Sequence, residues 1–125
     1  MRKIIESDSA PKPVGPYSQA VLVGNTLYVS GQVPVNPLNS ELIKDSISLA
    51  TKQVMDNIGA ILSEVDFSFD DVVKCTIFVK DMATFKEVNA VYASYFQGNF
   101  PARETVEVSN LPLGALVEIS AIAVK

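Results

Sequence analysis

The sequence predicts a two-layer α+β domain, a β-sheet with both of its helices on one face. Three observations carry that expectation. The regular segments follow the order strands, helix, strand, helix, strands. Two of them repeat apolar residues three or four apart, the period of an α-helix. The others are short, rich in β-branched residues and bounded by Gly, Pro and Asn. With 125 residues, of which 48% are apolar, the chain fits a single domain spanning 1–125.

Val21, Leu22 and Val23, then Gly24 and Asn25, then Leu27, Tyr28 and Val29 read as a β-hairpin. Gly and Asn tolerate the positive φ that such turns require. Gly31 closes the second strand, and Pro34, Pro37, Asn39 and Ser40 mark a loop. Residues 45–65 read as a helix whose apolar stripe is Ile47, Ala50, Val54, Ile58, Ile61, Leu62 and Val65. Lys52, Asp56 and Glu64 fall off that stripe. Gly59 within it costs about 1 kcal/mol relative to alanine, which points to close packing on the sheet.

Residues 72–79 read as a strand, with Val73, Cys75, Ile77 and Val79 on one face and Val72, Lys74, Thr76 and Phe78 on the other. A second helix starts near Thr84, where Thr84 and Glu87 have the spacing of a capping box. Phe85, Val88, Tyr92, Tyr95 and Phe96 supply its apolar side, and Gly98 stops it. Residues 103–108 and 116–124 are the remaining strands, joined through Pro112 and Gly114.

Two helices cover only one face of such a sheet, yet several strands are apolar on both faces. Monomers seldom expose large apolar patches, so self-association with closed symmetry is expected. Physics alone does not choose between dimer and trimer.

Composition restricts the chemistry. The chain has no histidine and one cysteine, Cys75. That argues against a zinc or iron site and against an internal disulfide. It excludes Ser–His and Cys–His nucleophile pairs within the chain. Acid–base work falls to Glu, Asp, Tyr, Lys or an ordered water. A net charge of −4, with no run of Lys and Arg, argues against a generic nucleic-acid binder. No segment reads as a transmembrane helix or a secretory signal, so a reducing cytoplasmic location is expected.

Several residues could carry function. Arg103 opens a strand after Phe100-Pro101-Ala102, and its planar fork matches a carboxylate. Arg103, Thr105 and Glu107 share one strand face, Glu104 and Val106 the other. Spacing alone favours a structural salt bridge for Arg103. Glu118 sits among Val117, Ile119, Ala121 and Ile122. It reads equally as half of an ion pair or as a base whose pKa is raised by partial burial. Tyr17 is a half-buried aromatic or a lid over a ligand. Ser30 and Gly31 are an ordinary strand end or a place where backbone approaches a ligand. Asn89 ties helix to loop or touches a ligand. Cys75 reads as a small buried hydrophobe without a catalytic role.

Taken together, these segments resemble one family. The motifs are Gly15-Pro16-Tyr17-Ser18-Gln19-Ala20, Ser30-Gly31-Gln32-Val33-Pro34, Asp56-Asn57-Ile58, Val79-Lys80-Asp81-Met82 and Val88-Asn89-Ala90-Val91-Tyr92. Phe100-Pro101-Ala102-Arg103 and Val117-Glu118-Ile119-Ser120-Ala121-Ile122-Ala123-Val124 complete the set. The chain resembles the RidA (YjgF/YER057c/UK114) family nearly end to end.

The resemblance implies a chorismate-mutase-like fold and a homotrimer with a central barrel and sites in the clefts between subunits. It implies hydrolysis of 2-iminobutanoate and 2-iminopropanoate to 2-oxo acids and ammonia, without metal or cofactor. Arg103 would hold the substrate carboxylate, and Glu118 would activate the attacking water. The Thr105 backbone would contact the substrate nitrogen or the water. Tyr17, Ser30, Gly31 and Asn89 would line the pocket.

Two departures matter. Many relatives carry a small residue and then a cysteine where this chain has Glu104 and Thr105, and Glu104 could neutralise Arg103. Ser120 replaces an acidic residue of many relatives. The alternative is a non-catalytic, metabolite-binding or regulatory trimer using the same pocket. RNA cleavage or translation inhibition, attributed to some relatives, fits the acidic, histidine-free chain least.

Overall fold

The computed structural model describes residues 1–125. Its strands are β1 (Arg2–Ile5), β2 (Ala20–Val23), β3 (Thr26–Gln32), β4 (Val72–Val79), β5 (Ala102–Glu107) and β6 (Val117–Val124), with helices α1 (Ile47–Ser63) and α2 (Phe85–Ala93). The strands form one 6-stranded sheet in the order β1-β2-β3-β6-β4-β5. Only β4 and β5 run parallel, which makes the sheet mixed.

Strand alternation fixes which face is buried. Leu27, Val29, Cys75, Ile77, Val79, Val117, Ile119, Ala121 and Ala123 point to one side, where they join Ala50, Val54, Met55, Ile58, Ile61 and Leu62 of α1 and Val88 and Tyr92 of α2. The predicted α+β architecture, with both helices on one face, is what the chain adopts. Ser46 caps α1 by accepting from the Leu49 amide at 3.2 Å. The buried Asn57 donates to the Val33 and Val35 carbonyls at 3.4 and 3.0 Å, which anchors the loop after β3. The hairpin forms as expected, with Gly24 at φ 57 between Val23 and Thr26.

The structure corrects four details. The space at Gly59 serves Phe69 rather than the sheet, since a Cβ there would lie 3.1 Å from the Phe69 ring. Phe69 begins the short 3-10 turn Phe69–Asp71 that leads into β4. A bulge between Val72 and Lys74 puts Val72 on the buried side and leaves Val73 exposed, the reverse of strict alternation. Thr84 builds no capping box, and the short 3-10 turn Met82–Thr84, capped by Asp81, precedes α2. The Asp81 carboxylate accepts from the Ala83 amide at 2.9 Å, and Thr84 Oγ1 donates to the Asp81 carbonyl at 2.7 Å. Finally, α2 ends at Ala93, so Tyr95 and Phe96 pack from the turn beyond it, and the chain turns at Gly98 with φ 113.

The strand β1 was absent from the sequence reading. It runs along β2 at the sheet edge, and the segment after it is pinned by Gln19. Gln19 Oε1 accepts from the Ser7 amide at 2.6 Å, while Nε2 donates to the carbonyls of Ser7, Ala10 and Pro11 at 3.1, 3.3 and 2.8 Å. Gln19 is buried, so Gln19→Leu strands these backbone groups without partners. The expected loss is about 1–3 kcal/mol in denaturant unfolding, and an unchanged midpoint would show that the contacts contribute nothing net.

The other sheet face carries no helix. Tyr28, Val106 and Val124 are exposed on it, and Phe78 and Ile122 are partly so. No helix is long and apolar enough to cross a membrane.

Candidate active site

The site begins with register. In a sheet, directly paired residues point to the same face. Arg103 pairs with the buried Cys75, so its side chain rises into the helix layer. There α2 presents Phe85, Asn89 and Tyr92, spaced so that they lie along one side of the helix. Arg103 Nη1 donates to Asn89 Oδ1 at 2.7 Å. The guanidinium carbon lies 5.6 Å from the Phe85 ring centre and 5.0 Å from that of Tyr92.

The salt bridge that spacing favoured does not form. Glu104 points to the opposite face, where Lys74 pairs with it at 3.3 Å. Glu107 Oε1 accepts from the Met82 amide at 2.7 Å. Arg103 therefore keeps its charge unpaired and borders a cavity of about 420 Å³ lined by Asn89, Tyr92, Ala93, Phe100, Pro101 and Arg103. An unpaired guanidinium beside a partly apolar wall suits a small carboxylate with a short hydrocarbon chain.

Beneath the guanidinium, the Tyr92 hydroxyl and Thr105 Oγ1 are buried without a regular hydrogen bond. Burial pushes the Tyr92 phenol up, helped by the neighbouring Cys75 thiol and opposed by Arg103. The thiol is also pushed up by burial, against smaller lowering effects of Tyr92 and Arg103. A buried, protonated thiol is a poor nucleophile, in line with its reading as a small core residue.

Glu118 lies on the other face. It pairs with Phe78 and alternates with the buried Val117 and Ile119. Burial raises its pKa above the ordinary glutamate range, and no cation offsets the rise. The carboxylate rests over Gly31, where an added Cβ would fall 2.4 Å from Oε2. A bulge between Val29 and Gln32 shapes this stretch of β3. Ser30 Oγ donates to the Ser18 carbonyl at 2.6 Å and so joins β3 to the loop that carries Tyr17. Tyr17 is half exposed and borders a separate cavity of about 380 Å³.

Apart from Tyr17 at its separate cavity, the expected site residues fall into two groups. Arg103, Asn89 and Thr105 gather on the helix face, and Glu118 and Gly31 touch on the bare face, with Ser30 beside Gly31. One chain does not bring Arg103 and Glu118 together. The sequence reading missed the flanking of Arg103 by Phe85 and Tyr92, although their spacing with Asn89 was its visible signal.

Gly31→Ala tests the close approach. The glutamate side chain is flexible enough to yield, so the fold survives while the carboxylate shifts. For the imine hydrolysis that the resemblance implies, activity is expected to fall nearly as far as in Glu118→Gln, with little change in the melting temperature. Full activity in Gly31→Ala would show that the carboxylate's position over Gly31 is irrelevant.

Fold and site together define a two-layer α+β protein with a cationic recess between its sheet and second helix. Residues 7–125 match the family model described as Endoribonuclease L-PSP. The chain belongs to that family, the RidA (YjgF/YER057c/UK114) proteins. It is 54% identical over 119 residues to a RutC family protein of Sulfurisphaera tokodaii, covering 95% of each chain. It is 46% identical to the 2-iminobutanoate/2-iminopropanoate deaminase of Bos taurus, covering 100% of this chain and 91% of that one. A crystal structure of a Rid-family protein of unknown function from Yersinia pestis superposes with a TM-score of 0.97 at 47% identity, over 100% of both chains.

Proposed function

We propose that this protein is a deaminase that hydrolyses 2-iminobutanoate, 2-iminopropanoate and their enamine tautomers. The observation that carries this reading is the unpaired Arg103 guanidinium facing a small, partly apolar cavity. The mammalian relative named for this activity supports it.

In the proposed reaction Arg103 grips the substrate carboxylate through charge-assisted hydrogen bonds. A water molecule adds through its oxygen to the C=N carbon, losing a proton to Glu118, which passes it to the nitrogen. The carbinolamine then collapses. Its C–N bond breaks, the hydroxyl becomes the 2-oxo group, and nitrogen leaves as ammonia. A carboxylate whose pKa is raised by burial is a better proton acceptor than an ordinary glutamate and can return the proton later. Imines hydrolyse unaided in water, so positioning and one acid–base group suffice. Neither step calls for a metal or cofactor.

A homotrimer supplies the missing geometry. Because Arg103 and Glu118 project from opposite sheet faces, one substrate meets both only where Arg103 of one protomer faces the partner subunit's Glu118. The bare face with Tyr28, Val106 and Val124 is the surface that a central barrel would bury. Asn89, Thr105, Tyr17, Ser30 and Gly31 then line the cleft from both sides.

The test couples the purified protein to a threonine dehydratase and follows 2-oxobutanoate release in a weakly nucleophilic buffer. Release is expected to exceed the buffer rate. If the wild-type protein binds 2-oxobutanoate but leaves the rate at the buffer value, the pocket is a metabolite-sensing site and the enzymatic reading fails.

A further inference from the structure

Asn89 occupies one of the five N–H groups of Arg103, and no other protein acceptor meets the rest. An arginine anchored at one nitrogen would still swing about its long side chain. Two aromatic rings restrict it. Phe85 sits one helical turn before Asn89 and Tyr92 nearly one turn after it, and both rings lie within cation–π range of the same guanidinium, at 5.6 and 5.0 Å. Tyr92 is locked in the core, and its ring packs on Phe96 at 4.9 Å, which in turn meets Phe100 at the cavity wall at 6.0 Å. Core packing therefore continues up to the charged group.

We propose that Phe85 and Tyr92 are positioning residues that, with Asn89, hold the Arg103 guanidinium in one orientation, its remaining N–H edge turned to the cavity. This rests on the acid-binding reading of the same site and adds to it a reason for affinity. A fork fixed before the ligand arrives loses little freedom on binding. A Leu in place of either ring keeps apolar volume but removes the negative ring face. Tyr or Trp in place of Phe85 keeps that face.

The experiment has two arms. The first follows the guanidinium ¹⁵N signals of the wild-type protein without ligand. Arg2 and Arg103 are the chain's arginines, so assignment is direct. Rotation about the Arg103 Cζ–Nε bond is expected to be slow in the wild type, Phe85→Tyr and Tyr92→Phe. It is expected to be fast in Phe85→Leu and Tyr92→Leu. The second arm titrates 2-oxobutanoate and its neutral amide, 2-oxobutanamide. Affinity for the acid is expected to drop about 2- to 5-fold in Phe85→Leu, with restoration in Phe85→Tyr and no change for the amide. Phe85 is only partly buried, so Phe85→Leu decides the matter even if Tyr92→Leu does not fold. Slow rotation retained in folded Phe85→Leu overturns the proposal. Slow wild-type rotation that is lost in Phe85→Leu upholds the clamp. If wild type then binds no 2-oxobutanoate, the acid-binding reading alone falls.

Discussion

Arg103→Ala is expected to lower kcat/KM for 2-iminobutanoate at least about 10- to 100-fold, the worth of one lost charge-assisted hydrogen-bonded contact. Binding of 2-oxobutanoate should fall by a similar factor, since both ligands present the same carboxylate. The fold should survive, because Arg103 pairs with no carboxylate whose charge the change would strand. Arg103→Lys separates charge from geometry. Lysine keeps the positive charge but loses the planar fork and its fit between Phe85 and Tyr92. It should therefore recover only part of the lost rate. Equal rates in wild type and Arg103→Ala would remove the carboxylate anchor from the mechanism.

Glu118→Gln is expected to cut kcat by about 10²- to 10⁴-fold, the usual worth of a positioned acid or base. KM should move little, because the amide is nearly isosteric and Arg103 still holds the substrate. The pH dependence carries a second signature. Within one chain burial disfavours the ionised carboxyl, while in the proposed cleft the partner subunit's Arg103 opposes that shift, so the wild-type profile should carry an acidic limb where Glu118 takes up its proton. That limb should be absent from the residual activity of Glu118→Gln. The same shift acts on stability with a defined sign. The folded chain holds this proton more tightly than the unfolded chain does. Its contribution is fully present below the unfolded pKa and is lost as the pH rises through the raised folded value. Glu118→Gln should therefore be at least as stable as wild type near neutral pH. A variant that lost activity only because it unfolded would show the opposite.

Much of the fold was legible because local pattern and burial coincide. The α1 stripe from Ile47 to Leu62 has helical period, and its Ala50, Val54, Ile58, Ile61 and Leu62 are buried, joined by Thr51, Met55 and Asn57 beside it. Val72–Val79 is rich in β-branched residues and forms β4 at the expected bounds. The misses come from non-local or competing contacts. β1 is a four-residue edge strand with little apolar signal. The bulge at Val72 depends on its pairing with β6. Before α2, Asp81 caps the short 3-10 turn Met82–Thr84, and the Thr84 hydroxyl turns back to the Asp81 carbonyl instead of capping the helix.

The site followed the same division. Residue types marked Arg103, Glu118, Asn89 and Gly31, and strand alternation placed Glu104 away from Arg103. What alternation within one strand does not give is the parity between β5 and β6. That parity passes through β4, where Cys75 carries Arg103 to the helix side and Phe78 carries Glu118 to the other. The salt bridge was misjudged for a similar reason. Lys74 and the Met82 amide, which engage Glu104 and Glu107, come from distant parts of the chain.

The measurement that bears most directly on a site shared between protomers is subunit complementation. Arg103→Ala and Glu118→Gln chains are each expected to be nearly inactive as homotrimers. Unfolded together and refolded, they should form mixed trimers in which, in the proposed assembly, an intact Arg103 faces an intact glutamate across one cleft. Activity well above that of either parent, appearing only after mixing, is the predicted result. Mixed trimers confirmed by mass spectrometry that remain as inactive as the parents would contradict it, because the two side chains would then serve no common site.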